Sequence, residues 1–413
     1  MHMRELPLQE STKRLTQFKE MPLSAGLQQK LAAAHFTTPT PVQQLAIPHA
    51  LEGKDVLATA QTGTGKTLAF LLPMMEKLAK HHVPGVRALI LVPTRELAMQ
   101  VREQYDALRY GRLPKTALVI GGMSEKPQIQ AVRSGAGVIV ATPGRLEDYL
   151  KRKLVDLSKV EMLVLDEADR MLDMGFLPAL RRIVGTLPRN RQTLCFSATL
   201  EASVAGLVND YMRAPVRVAL GSTTKPAESV ELQAFEVSAA GKADALRRLL
   251  YHEKGQTLIF ARTKRGTERL AKNLIRDGFA AAMIHGDRTQ SQRISALSGF
   301  DEGRYKVLVA TDVASRGIHV DNVAHVINYD LPEVAEDFIH RVGRTGRAGA
   351  KGRASSLVCG AEIGELRNIE RTLKLKIARR RADEFETAAV KSKPVKNTLL
   401  SRTLTALPGE VFC

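Results

Sequence analysis

The sequence contains little cysteine and no long uncharged apolar run. Its three cysteines, Cys195, Cys359 and Cys413, lie too far apart for a zinc-binding motif, and such sparse cysteine is typical of a reducing compartment. No apolar run reaches the roughly 18 residues that a membrane-spanning helix needs, and the N-terminus lacks a basic segment followed by a hydrophobic signal core. These absences predict a cytoplasmic protein with unpaired thiols and no membrane contact.

Acidic residues are also scarce relative to basic ones. The chain has 61 Lys and Arg against 43 Asp and Glu, a formal net charge of +18. This excess predicts an anionic partner, although charge alone does not separate nucleic acid from an anionic membrane. At 413 residues the chain exceeds what one hydrophobic core usually organises, so two domains are expected.

Short apolar runs rich in β-branched residues alternate with helical patterns. The runs are 55–60, 88–93, 116–120, 137–141, 162–165 and 193–196, then 257–261, 281–285, 306–311, 323–329 and 353–359. This alternation predicts α/β domains, each with a mostly parallel sheet flanked by helices. Polar, Gly- and Pro-containing residues break the pattern after position 220, so we predict a first domain over 1–220, a linker over 221–229 and a second domain over 230–375.

The segment 60–67, with the sequence AQTGTGKT, joins a predicted strand to an apolar helix, which is the context of a phosphate-binding loop. Gly63 and Gly65 would allow a tight turn whose backbone N–H groups point at phosphate oxygens. Lys66 would neutralise the β- and γ-phosphates, and Thr67 would bind magnesium. Because the loop opens with Ala60 and not with glycine, the match alone leaves a plain strand-helix turn as an alternative.

A second motif, Asp166-Glu-Ala-Asp169, follows a buried predicted strand. Ligand sites form at the carboxyl ends of strands in open α/β sheets. Asp166 is therefore predicted to hold magnesium, and Glu167 to orient or deprotonate the attacking water. The alternative, that these acids only cap a helix, is less favoured beside a phosphate loop.

Together the loop and the Asp-Glu-Ala-Asp motif resemble the DEAD-box RNA helicases of superfamily 2. The other family motifs occur in family order, at 93–97 (PTREL), 121–122 (GG), 142–145 (TPGR), 197–199 (SAT), 258–260 (LIF), 311–312 (TD), 315–317 (SRG) and 340–347 (HRVGRTGR). The resemblance covers residues 18–375 and implies two tandem RecA-like domains that use ATP and Mg²⁺ to unwind RNA. The overall pattern resembles the bacterial RhlE-like subgroup.

The resemblance also implies which residues contact ATP, including an adenine-reading Q motif over 16–44. These are Phe18, Phe36, Thr38, Gln43, Gln61, Thr62, Gly63, Thr64, Gly65, Lys66, Thr67, Asp312, Arg344 and Arg347. Phe36 would stack on the adenine and Gln43 would bind its edge, although Phe36 alone would more often be a core residue. Arg344 and Arg347 would act as arginine fingers from the second domain, with a basic solvent loop as the alternative.

RNA contacts are implied at a further set of positions: Arg95, Gly122, Thr142, Gly144, Arg145, Arg262, Gly286, Thr311 and Arg316. Side chains of these types suit phosphate and sugar, so binding should be indifferent to base sequence, with preference for RNA arising at the 2′-hydroxyl. Four residues would couple the ATP and RNA sites, namely Asp169, Ser197, Thr199 and His340. Alone, Ser197 and Thr199 would only indicate the end of a strand.

The segment 376–413 is predicted to be a short, basic, flexible tail. It lacks interleaved aromatic residues or glycines, so a solvated surface run is favoured over a dedicated recognition element, although it could add nonspecific RNA affinity. Two other functions stay open from sequence: a DNA-directed translocase, and an RNA chaperone or clamp that uses ATP as a timer. Ribosome-assembly or RNA-degradation factors are possible partners.

Overall fold

Two parallel sheets form the framework of this computed structural model, which describes residues 16–60, 64–81, 83–200, 202–220, 229–312, 320, 323–346 and 351–381. The first sheet contains β1 (Val56–Thr59), β2 (Ala88–Leu91), β3 (Thr116–Val119), β4 (Val138–Ala141), β5 (Met162–Leu165), β6 (Gln192–Ser197) and β7 (Val216–Ala219). Its seven strands run in the order β3-β4-β2-β5-β6-β1-β7. Every strand pair in it is parallel.

The second sheet contains β8 (Val230–Glu236), β9 (Thr257–Phe260), β10 (Ala281–Ile284), β11 (Val307–Ala310), β12 (His325–Asn328), β13 (Gly352–Val358) and β14 (Ala378–Arg381). Its order is β10-β11-β9-β12-β13-β8-β14, and its pairs are also parallel. The two sheets confirm the predicted α/β class with two tandem RecA-like domains.

Helices connect the strands of both sheets. In the first domain they are α1 (Ala25–Ala33), α2 (Pro41–Leu51), α3 (Lys66–Lys80), α4 (Arg95–Leu108), α5 (Glu125–Arg133), α6 (Pro143–Lys151), α7 (Ala168–Asp173), α8 (Leu177–Gly185) and α9 (Ala202–Tyr211). In the second they are α10 (Lys242–His252), α11 (Lys264–Arg276), α12 (Gln290–Asp301), α13 (Ala335–Val342) and α14 (Ile363–Leu373). Short 3₁₀ turns cover Phe18–Glu20 and Gly360–Glu362.

The central strands are buried on both faces because helices cover both sides of a parallel sheet. All four residues of β5 are buried, as are all four of β9. Each sheet accordingly separates two hydrophobic clusters, one for each face. This packing fixes the strand ends, from which the candidate site residues project.

Three strands, β7, β8 and β14, were not predicted from the sequence. Strand β14 corrects the proposed boundary of the basic tail, because residues 378–381 pair with β8 in the second sheet. Backbone pairing does not require apolar side chains, Ile377 is buried immediately before the strand, and Arg379 pairs with Glu370 at 2.6 Å. The tail beyond residue 381 lies outside the described residues.

Candidate active site between the two domains

The predicted site residues follow the carboxyl ends of the strands. Strands β1, β5 and β6 lead to the phosphate loop, Asp166 and Ser197, whereas β2, β3 and β4 lead to Arg95, Gly122 and Thr142. The strand order β3-β4-β2-β5-β6-β1 places the first group on one half of the sheet edge and the second group on the other half. The fold therefore separates the predicted ATP residues from the predicted RNA residues along one edge.

Lys66 begins α3 and its side chain is buried, with Nζ donating to the carbonyl of Ala60 at 3.1 Å. Gly65 precedes it with φ of +85°, a conformation that favours glycine. Thr67, in the first turn of α3, is half-buried. Within the described part of the loop, a left-handed turn at Gly65 therefore leads directly into the helix that begins at Lys66. Gln61, Thr62 and Gly63 lie outside the described residues.

Gln43 connects the predicted Q motif to this loop. Its Oε1 accepts a hydrogen bond from the Thr40 N–H at 2.8 Å, and its Nε2 donates to the carbonyl of Gly65 at 2.8 Å. The first contact forms part of a capping box at the start of α2. A residue predicted from resemblance to read adenine thus also holds the turn before Lys66.

The residues before Gln43 divide between core and surface. Phe18 is buried in the core of the first domain, and its N–H donates to the carbonyl of Thr37 at 3.1 Å. Phe36 is half-buried against the same core, and Thr38 is exposed. Phe18 therefore positions the segment from inside, whereas Phe36 and Thr38 are accessible to a ligand.

Asp166 and Glu167 are almost fully buried at the end of β5. Burial raises the pKa of Asp166 to about 7, although the charge of Lys66 acts in the opposite direction. Glu167 has φ of +51°, a strained conformation for a residue other than glycine. Its Oε2 accepts no hydrogen bond from the part of the chain that the structure describes and lies 3.7 Å from Nε of Arg170.

The four predicted coupling residues meet where the two domains face each other. Oδ2 of Asp169 accepts hydrogen bonds at 2.9 Å from two backbone N–H groups of the segment 197–199, and Oγ1 of Thr199 lies 3.4 Å away. Ser197 is fully buried at the end of β6. His340 comes from α13 in the second domain, where burial and the charge of Arg170 lower its pKa while Asp169 raises it.

Arg344 brings a buried cation from the second domain toward the first. Its side chain is among the buried polar groups, and burial together with the charge of Arg170 lowers its pKa to about 10, against the effect of Glu167. A pocket beside it is lined by Arg170, Phe260, Asp312, Asp337, His340, Arg341 and Arg344. This burial rules out the solvent-loop alternative for Arg344, and Arg347 lies outside the described residues.

Arg341 organises the second-domain wall of this pocket. It pairs with Asp312 through two contacts of 2.6 Å, and it donates to Asn328 Oδ1 at 3.0 Å and to the carbonyl of Asp330 at 2.6 Å. Its guanidinium lies 4.9 Å from the ring centroid of Phe260. Asp312, predicted to contact ribose, is therefore held in place by a buried arginine whose structural role was not predicted.

The half of the first sheet edge that is predicted to contact RNA carries neighbouring arginines. Gly122 has φ of +72°, and a side chain there would collide with the guanidinium of Arg95. Burial lowers the pKa of Arg95; the nearby charges of Arg293 and Arg145 lower it further, whereas Glu96 raises it. The structure thus brings Arg95 and Arg145, two of the predicted RNA residues, close to each other, with Arg293 of the second domain beside them.

At the start of α6, three predicted RNA residues share one turn. Thr142 is the N-cap residue and Gly144 is exposed in the first turn. Arg145 follows, and its Nη1 lies 2.8 Å from Oε1 of Glu125. Exposed N–H groups at a helix start suit an anion, but the paired carboxylate at Glu125 was not foreseen.

The second domain places its predicted RNA residues after the adjacent strands β9, β10 and β11. Nη2 of Arg262 donates to Glu365 at 2.9 Å. Gly286 follows β10, and Thr311 follows β11 as a buried residue. Arg316 lies outside the described residues.

A contact between α4 of the first domain and α12 of the second was not predicted from the sequence. Oε1 of Glu96, in α4, accepts a hydrogen bond from Nε2 of Gln290 at 2.9 Å and lies 2.9 Å from Nε of Arg293. Gln290 and Arg293 are three positions apart in the first turn of α12, so they lie on the same helix face. That spacing indicates that the two side chains share a helix face, but nothing in the sequence identified Glu96 as their partner.

Family models and relatives agree with this geometry. A DEAD/DEAH box helicase model matches residues 40–207, and a helicase conserved C-terminal domain model matches residues 241–349. The chain is 41% identical over 375 residues to DEAD-box ATP-dependent RNA helicase CshA of Bacillus cereus, covering 91% of this chain and 71% of the relative. CshA of Bacillus subtilis is 40% identical over 372 residues, with coverage of 90% and 75%.

Solved structures give the same class. Dbp5 of Saccharomyces cerevisiae bound to RNA and ADP BeF3 has a TM-score of 0.80 at 32% identity, covering 90% of this chain and 97% of that one. Mss116p bound to ssRNA and AMP-PNP has a TM-score of 0.82 at 29% identity, with coverage of 94% and 85%. The two sheets, the facing motifs and these matches define a superfamily 2 helicase core. The chain belongs to the DEAD-box family of ATP-dependent RNA helicases.

Proposed function

We propose that this chain hydrolyses ATP in response to RNA and uses closure of its two domains to separate short RNA duplexes. The burial of Arg344, a second-domain residue, beside Glu167 and Arg170 of the first domain carries this proposal. A cation delivered across the cleft can stabilise charge that develops on a transferring phosphoryl group. Because it comes from the other domain, hydrolysis requires the domains to close.

On the ATP side, this chain's own groups fit a magnesium nucleotide. Lys66 and Thr67 begin a helix whose N-terminus favours phosphate, and Asp166 offers a buried carboxylate beside them. Mg²⁺ prefers few protein ligands and several oxygen ligands from phosphate and water, and when bound it would neutralise phosphate charge. Glu167 has a buried Oε2 that accepts no hydrogen bond within the described chain, which suits a base that orients water. Phe36, Gln43 and Asp312 are proposed for adenine and ribose.

On the RNA side, Arg95, Gly122, Thr142, Gly144 and Arg145 of the first domain are proposed to hold the backbone. Arg262, Gly286, Thr311 and Arg316 would continue the path in the second domain. Asp169 accepts hydrogen bonds from two backbone N–H groups of the segment 197–199, and these contacts would couple the RNA path to the nucleotide residues. Closure would then favour a bound single strand over a duplex, and reopening would release it.

The finer assignments are also proposals. The RhlE-like subgroup rests on the motif pattern alone, since the bacterial relatives described above are CshA proteins. Domains at 1–220 and 230–375 follow from the break in the strand-helix pattern at 221–229, with β14 extending the second. No helix among the described residues is long and apolar enough to span a bilayer, and we propose a cytoplasmic location. Ribosome-assembly or RNA-degradation factors are proposed partners.

The finger assignment is tested by Arg344→Ala in single-turnover hydrolysis with saturating RNA. We expect the rate to fall by about 10³-fold, with nucleotide affinity changed by less than about tenfold, because the guanidinium acts mainly in the transition state. Arg353→Ala is the matched control, since Arg353 is a half-exposed second-domain arginine that pairs with Glu253 away from the cleft. Normal turnover in Arg344→Ala would refute the assignment.

A further inference from the structure

Arg145 belongs to a neutral cluster of four charged side chains, together with Glu125, Arg152 and Asp148. Its Nη1 lies 2.8 Å from Oε1 of Glu125. Arg152 binds the same carboxylate, with Nη1 and Nη2 each 3.1 Å from Oε2 of Glu125, and Nη1 of Arg152 also lies 2.9 Å from Asp148. Glu125 thus joins two arginines, only one of which is proposed to contact RNA.

The exposure of these groups differs in a way that matters for RNA. The side chain of Arg145 is 17% exposed, whereas those of Glu125 and Arg152 are 39% and 44% exposed. Arg145 is also held near the ring of Tyr149, with 5.6 Å between its guanidinium carbon and the ring centroid. An approaching phosphate would therefore find the guanidinium of Arg145 held in position and already paired with the carboxylate of Glu125.

We propose that Glu125 is a positioning residue that competes with RNA phosphate for Arg145 and thereby lowers the affinity for RNA. The inference rests on the proposed RNA role of Arg145. A phosphate that binds the guanidinium must displace the carboxylate or accept its repulsion. Arg152 already binds Glu125 through two nitrogens, so the carboxylate would stay paired with Arg152 when Arg145 binds RNA phosphate. The exchange makes RNA release easier without removing the arginine.

The competition is modest because the carboxylate is partly solvated. An exposed ion pair is worth little, so removing the charge of Glu125 should tighten RNA binding by about two- to fivefold. It should also expose roughly one more effective positive charge, which steepens the slope of log affinity against log salt by about 0.7 for a single strand. A purely structural role for Glu125, such as its favourable place in the first turn of α5, would not steepen that slope.

The test is binding of a short labelled polyuridine RNA to the full chain with a nonhydrolysable ATP analogue, over a series of salt concentrations. Glu125→Gln should bind more tightly and with the steeper salt slope. Glu147→Gln is the matched control, because it removes the same charge from the adjacent helix α6, where Glu147 pairs with Lys151 and Arg182 at 2.5 and 2.7 Å. We expect Glu147→Gln to give less than half of the gain in log affinity, and an equal gain would overturn the proposal.

A double-mutant cycle separates this inference from the function on which it rests. Arg145→Gln should weaken RNA binding, and Glu125→Gln should give no gain when added to Arg145→Gln. If Arg145→Gln binds RNA as the wild type does, the RNA role of Arg145 fails and the inference fails with it. If Arg145→Gln weakens binding but Glu125→Gln alone leaves it unchanged or weaker, only the inference is overturned.

Discussion

His325 is fully buried in β12 and links two elements through its ring. Its Nε2 lies 2.7 Å from Oγ of Ser355 in β13, and its Nδ1 lies 3.4 Å from Oε2 of Glu253, just after α10. The contact with His325 lowers the pKa of Glu253 to about 2, and this effect is larger than the opposite effect of burial, which raises the pKa. Burial lowers the pKa of His325 as well, so the neutral ring is the stable form at neutral pH.

This arrangement predicts a pH-dependent stability. Glu253 has a folded pKa below its ordinary value of 4.5, so its stabilisation is present above pH 4.5 and is lost as pH falls toward 2. Because the group is partly solvated, we expect Glu253→Gln to cost about 1–2 kcal/mol at pH 7 and less near pH 4. Urea unfolding of both proteins across this range measures the difference, and a gap that widens on acidification would contradict the assignment.

At the residue scale, sequence and resemblance predicted the identities of the site side chains but not their conformations. Asp166 and Glu167 lie where the strand pattern placed them, yet the left-handed backbone of Glu167 could not be read from a motif. It depends on how β5 meets α7, which is a property of tertiary packing. The same holds for Arg341, which belongs to the motif at 340–347 and is buried against Asp312.

At the element scale, backbone strain occurs at the C-terminus of α1, where His35 has φ of +59°. The His35 N–H donates to the carbonyl of Ala32 at 3.0 Å, and the Phe36 N–H donates to the carbonyl of Leu31 at 2.9 Å. This pair of contacts is a Schellman motif, whose left-handed position favours glycine.

His35→Gly should therefore stabilise the first domain by about 0.5–1 kcal/mol, because glycine removes the cost of a Cβ at positive φ. The preceding residue gives a control: Ala34 has φ of −88°, so Ala34→Gly should destabilise by a similar amount. Thermal unfolding of the two variants beside the wild type measures both signs. A lower melting temperature for His35→Gly would contradict the strain argument.

The apolar, fully buried strand β5 was predicted from the sequence, whereas β7 and β14, which are largely exposed, were not. The run at 162–165 is apolar throughout and forms β5 as expected. In contrast, β7 reads Val-Arg-Val-Ala with one buried residue, and β14 reads Ala-Arg-Arg-Arg. Such segments become strands because they pair with neighbouring strands in the folded sheet, so their local sequence pattern does not predict them.

At the scale of the whole molecule, Glu96 joins the two domains beside the residues that are proposed to bind RNA. Its side chain is 4% exposed and that of Arg293 is 11% exposed, so the pair is largely desolvated. The contact spans nearly 200 positions of sequence, since Gln290 and Glu96 are 194 residues apart. The sequence could therefore identify the motif at 93–97 that contains Glu96, but not the contact of Glu96 with Gln290 and Arg293.

Glu96→Gln should weaken domain closure, because it removes the carboxylate that pairs across the cleft with the largely buried guanidinium of Arg293. We expect a lower population of the closed form, measured by energy transfer between dyes on the two domains with RNA and an ATP analogue. Glu161→Gln is a control that removes a carboxylate paired with Arg87 inside the first domain. Unchanged closure in Glu96→Gln would show that this contact does not stabilise the closed form.

We propose above all that RNA closes the domains and thereby triggers ATP hydrolysis. The most direct test of this proposal is steady-state ATPase activity at one stated salt concentration without nucleic acid, with a short single-stranded RNA, and with DNA of the same sequence; Glu167→Gln serves as the inactive control. We predict strong stimulation by RNA, little by DNA, and none in Glu167→Gln. Equal stimulation by RNA and DNA, or full activity without either, would contradict the account.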